Sequence, residues 1–81
     1  GSGGGYVHVL VRLPYEIACR SVRMEIYKGR AYDNTVYVDT EKNWVWFWKK
    51  ITFYDAGRYE FDVYDCFDYK LTTGSVRINW R

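Results

Sequence analysis

Asp55-Ala56-Gly57-Arg58-Tyr59-Glu60-Phe61-Asp62-Val63 is the stretch on which the reading of the fold turns. Tyr59, Phe61 and Val63 fall on one side of it, and Glu60, Asp62 and Tyr64 on the other. Successive side chains of a strand point to opposite faces, so this period of two predicts a half-buried strand. The Asp-Ala-Gly ahead of it is turn chemistry. The same period recurs on both sides. Val7, Val9, Val11 and Leu13 share a face, as do Val22, Met24 and Ile26. Residues 35–39 alternate again, and Val76, Ile78 and Trp80 close the series. Between the runs, Lys28-Gly29-Arg30, Asp33-Asn34, Asp39 to Asn43 and Thr72-Thr73-Gly74 read as turns. Pro14 lacks a ladder donor and should end the first strand, and Pro14 to Cys19 offers at most one helical turn.

The chain has 81 residues, 48% of them hydrophobic and 21% aromatic. Such a composition argues for a packed core and against disorder. Gly1 to Gly5 read as a linker or expression scar, which leaves residues 6–81 as a single domain. Six or seven short strands without helical crossovers favour an antiparallel sandwich or small barrel. No run of about 18 apolar residues is present, so no membrane insertion is expected. The net charge of +2 is too small to imply a nucleic-acid partner. Basic residues collect in the first half (Arg12, Arg20, Arg23, Lys28, Arg30) and Glu60, Asp62, Asp65 and Asp68 in the second. Solvated strand faces or a charged stacking surface would both account for this.

Residues 55–63 resemble the corner before strand F of immunoglobulin-like and fibronectin type III-like sandwiches, with the pattern D-x-G-x-Y. The resemblance implies an all-β, antiparallel immunoglobulin-like sandwich of six to seven strands. It implies that Asp55, Gly57 and Tyr59 form a structural corner, with the Tyr59 hydroxyl bonded to backbone a few residues upstream. The likeness covers about nine residues closely and speaks to fold rather than function. Phe61 and Met24 stand where antibody-type domains carry their core cysteines. In that strand order Cys19 would begin strand B and Cys66 would end strand F. These strands run parallel, which puts the two residues at opposite poles. The expectation is therefore two free thiols and no disulfide; free thiols favour a reducing compartment, but two cysteines do not name one.

Catalytic and metal chemistry find little footing. His8 is the only histidine and alternates with valines as a surface strand residue would. One histidine and two distant cysteines do not make a zinc site. Asp33, Asp39 and Asp68 are candidates for calcium at a loop pole, against which stands the lack of any ligand spacing. No cofactor is expected, and a domain this small leaves little room for a substrate cleft, so it is not read as an enzyme.

Trp44-Val45-Trp46-Phe47-Trp48 is the candidate binding face. Five large apolar residues in a row on a strand must point to both sides, so one set is left outside. The resemblance implies that Ile51, Trp48 and Trp46 are core, with Lys49-Lys50 forming a bulge. If the tryptophans are outside instead, they form a strip suited to sugar rings. The expected function is a non-catalytic interaction or assembly module, excised from a larger multidomain protein. Its partner would be another protein, a neighbouring domain or a second copy. A carbohydrate-binding module and an engineered sandwich are the alternatives.

Overall fold

The computed structural model describes residues 5–79. Six antiparallel strands form two sheets: β1 (Gly5–Arg12), β2 (Ser21–Lys28), β3 (Ala31–Asp39), β4 (Trp46–Phe53), β5 (Gly57–Tyr64) and β6 (Lys70–Ile78). The larger sheet has the order β3-β2-β5-β6, and β1 and β4 pair alone in the smaller one. The inward side chains of both sheets make one core, including Val9, Val11, Val22, Met24, Ile26, Phe47, Ile51, Phe53, Phe61 and Val63. Each fully buried side chain of this size is worth about 1.5–3 kcal/mol.

Local chemistry explains the connections. Lys28 pairs with Ala31, so Gly29-Arg30 is a two-residue hairpin loop, and Gly29 takes φ 62° there. Asp33 lies within β3, as the extra residue between the pairs Ile26–Asn34 and Tyr27–Tyr32. Thr72-Thr73-Gly74 likewise lies inside β6. The β5–β6 turn falls earlier, where Asp65 Oδ1 accepts the N–H groups of Phe67 and Tyr69. That local bonding lets the chain reverse at residues 65–69, and Thr72 and Thr73 are then free to pair with Val63 and Asp62. Residues 14–19 contain no helix. Trp80 lies outside the described residues.

Tyr59 is buried, its ring 4.5 Å from that of Phe53, and its hydroxyl donates to the Asp55 carbonyl at 2.9 Å. Gly57 takes φ 149°, a conformation that a side chain would strain. A Cβ there would also meet the Lys28 stem at 3.0 Å. On the neighbouring strand, Gly74 faces Phe61, whose ring occupies the space a side chain would need.

The expected free thiols are corrected by the topology. Cys19 and Cys66 form a disulfide, with Cα atoms 6.0 Å apart. The error lay in the strand identities. β2 and β5 are hydrogen-bonded antiparallel neighbours, with Arg23 opposite Tyr64, so the segment entering β2 and the segment leaving β5 meet at one pole. That is the separation a disulfide bridges.

Candidate functional site

β1 and β4 pair without interruption from Gly5–Phe53 to Arg12–Trp46. There is no bulge at Lys49-Lys50, so the period of two runs unbroken along β4. Phe47, Ile51 and Phe53 point inward and are buried, and Lys49 between them is half-buried. Trp46, Trp48, Lys50 and Thr52 therefore point outward. This overturns the expectation that Trp46 and Trp48 are core. Phe47, at 2% exposed, takes the place assigned to them.

The opposing strand supplies the rest of the face. Val7, Val9 and Val11 turn inward, which leaves Tyr6, His8, Leu10 and Arg12 outside. Register sets Leu10 against Trp48 and Arg12 against Trp46. The His8 ring lies edge-on to Trp48 at 5.2 Å and to Tyr6 at 5.8 Å. Lys50 Nζ sits over the Tyr6 ring, 4.1 Å from its centre. Tyr6, Leu10, Trp46 and Trp48 are each between 53% and 59% exposed. Together with His8 they make a largely aromatic patch across a two-stranded sheet.

Trp44 and Val45 precede β4 and are also exposed. Their carbonyls accept the N–H groups of Ile17 and Leu13, at 2.9 and 2.8 Å, which ties the β1–β2 connection beside them. Of the five residues singled out in the sequence, only Phe47 is covered from within. A cleft of about 430 Å³ lies beside the exposed rings, lined by Trp44, Trp46, Phe47 and Trp48 of one sheet and Val38 and Asp39 of the other.

Charge separates this face from the rest of the molecule. The ion pairs among the described residues are Arg23–Glu25, Arg23–Asp68, Lys28–Asp55, Arg58–Glu60 and Lys70–Asp62. The basic first half and the acidic second half of the chain thus intermix on the larger sheet and at its ends. The hydrogen bond that the Arg23 guanidinium donates to Asp68 holds Arg23 above its usual range, and Arg23 also lies over the Tyr64 ring at 4.4 Å. The outward positions of β1 and β4 carry no carboxylate. Arg12 and Lys50 make no ion pair among the described residues.

No group of three His, Cys, Asp or Glu that could hold a metal ion occurs among the described residues. The sequence pointed to the tryptophans but not to Tyr6, His8, Leu10 and Arg12 as their partners. Alternation in residues 6–13 placed these four outside, yet nothing local says which strand lies alongside. No family model, curated protein or solved structure matches the chain.

Proposed function

We propose that this domain is a non-catalytic interaction module of immunoglobulin-like type that engages its partner through the outer face of the β1–β4 sheet. One observation carries the reading: Tyr6, Leu10, Trp46 and Trp48 lie together, all more than half exposed, on a face without acidic residues. An exposed apolar patch of this kind marks a contact site. Tryptophan and tyrosine supply large contact area at low entropic cost, and arginine and lysine at the rim supply orientation. The immunoglobulin-like assignment is supported by the strand order and by the Asp55–Gly57–Tyr59 corner. The Cys19–Cys66 bridge supports an oxidising setting rather than a reducing one.

A glycan is the second reading, favoured by the side-by-side tryptophans. Trp46 and Trp48 are two residues apart on one strand, hence about 7 Å apart. Their cationic neighbours Arg12 and Lys50 would favour an acidic sugar over a neutral one. Light scattering at rising concentration, followed by titration with neutral and acidic oligosaccharides, separates the readings. Association that Leu10→Glu abolishes supports a protein partner or second copy. Saturable sugar binding lost in Trp48→Ala supports the glycan. Association unaffected by both variants would place the contact elsewhere.

A further inference from the structure

The two sheets differ in width. Strands sit about 4.8 Å apart, so a two-stranded sheet cannot cover the inner side of a four-stranded one. The outer strands of the larger sheet overhang, and their inward residues show it: Val36 on β3 and Val76 on β6 are only partly buried. Above β3 lies the far side of β4. Among the described residues this strand pairs with β1 alone, so its other row of backbone N–H and C=O groups has no strand partner there. The Val38–Trp48 cleft opens along that row and continues past Lys49 and Lys50 as a second hollow of about 390 Å³.

Lys49 gives this edge its selectivity. It points inward, half-buried, at the middle of β4, and makes no ion pair among the described residues. An inward lysine on an edge strand discourages indiscriminate pairing. A strand that brings a carboxylate to it would remove that penalty. Asp39 lines the same hollow on the β3 side without pairing to Lys49.

We propose that the free edge of β4 accepts an extended peptide strand from a partner protein, with apolar residues on its inward positions and an Asp or Glu opposite Lys49. The incoming strand would complete the smaller sheet, and its apolar side chains would cover Val36. Backbone bonding would supply affinity and the alternate side chains specificity. A second copy of β4 fits poorly. Antiparallel pairing about a twofold at Lys49 or at Lys50 sets that lysine directly against its own copy, and like charges directly opposite are destabilising.

The rim of the sheet is distinct from its outer face, and peptide selection keeps the two apart. A displayed library of random decapeptides is selected against the wild-type protein and against Lys49→Glu. The expected wild-type consensus alternates apolar and polar residues, with an acidic residue at one fixed place. Lys49→Glu should move that place to Lys or Arg and weaken the original peptides at least tenfold. Lys49→Gln, which should lose the acidic preference without gaining a basic one, serves if the Glu variant does not fold. N-methylation of the enriched peptide on one alternate set of residues should abolish binding, and on the other set should not. Leu10→Glu on the outer face should leave peptide binding unchanged. No enrichment, a consensus without alternation, tolerance of methylation on both sets, or an unchanged consensus with Lys49→Glu would overturn the proposal. Loss of binding in Leu10→Glu alone would move the site to the outer face.

Discussion

Cys19 and Cys66, 47 residues apart in the chain, lock the segment entering β2 to the segment leaving β5. Cys19 is buried in the core, while Cys66 is exposed beside the β5–β6 turn. The crosslink acts mainly on the unfolded chain. For a closed loop of this length, the loss of chain entropy corresponds to about 4 kcal/mol. The double variant Cys19→Ala/Cys66→Ala should lose stability on that order in urea denaturation. The wild-type protein, unfolded without reductant, should show no reactive thiol.

Tyr59→Phe should cost about 1–2 kcal/mol, because it leaves a carbonyl beside the buried corner without its donor. The ring and its contact with Phe53 are kept, so the loss reports the hydroxyl bond to Asp55 alone. Chemical denaturation of both proteins measures it, and an unchanged midpoint would leave the bond without energetic weight.

Gly74→Ala should destabilise by about 1–3 kcal/mol, the usual cost of forcing extra volume into a filled core. The new Cβ would stand 2.7 Å from the Phe61 ring. Phe61→Leu frees that space, so the pair Gly74→Ala/Phe61→Leu should be less destabilised than the two single losses added together. Strict additivity would mean that the two residues do not share the space.

Phe47 and Trp48 are neighbours in sequence with opposite roles. Phe47→Ala opens a cavity in the core and should cost about 3–5 kcal/mol. Trp48→Ala removes an exposed cross-strand contact and should cost at most about 1 kcal/mol. Thermal melts of the two variants distinguish this arrangement from the reverse, in which the tryptophan would be the costly loss.

That pair also marks the limit of what the sequence shows. The strand pattern is legible because alternation is local: Val22, Met24 and Ile26 on β2, and Tyr59, Phe61 and Val63 on β5, turn inward as the period dictates. In residues 44–48 every position is apolar, so the period has no phase of its own. Phase has to come from Ile51 and Phe53 downstream, and two extra lysines made a bulge plausible between them. The unbroken β1–β4 register settles it in favour of Phe47. The disulfide was hidden for a different reason. Which strands become neighbours is a long-range property, and the pairing of β2 with β5 leaves no mark near Cys19 or Cys66. The candidate face was half legible for the same reason, since Trp46 and Trp48 were visible in the sequence and their alignment with Arg12 and Leu10 was not.

Contact through the outer face of the β1–β4 sheet, as proposed, would involve both exposed tryptophans of β4. The indole N–H resonances of Trp46 and Trp48 report on it directly. They should be followed by NMR as the protein is concentrated, and then as neutral and acidic oligosaccharides are added. Both indoles should shift saturably under at least one of these conditions, with the backbone amides of Tyr6 to Arg12 moving alongside. Indoles that hold still under every condition, or shifts confined to Tyr32, Tyr37 and the Phe67–Tyr69 turn on the other sheet, would contradict it.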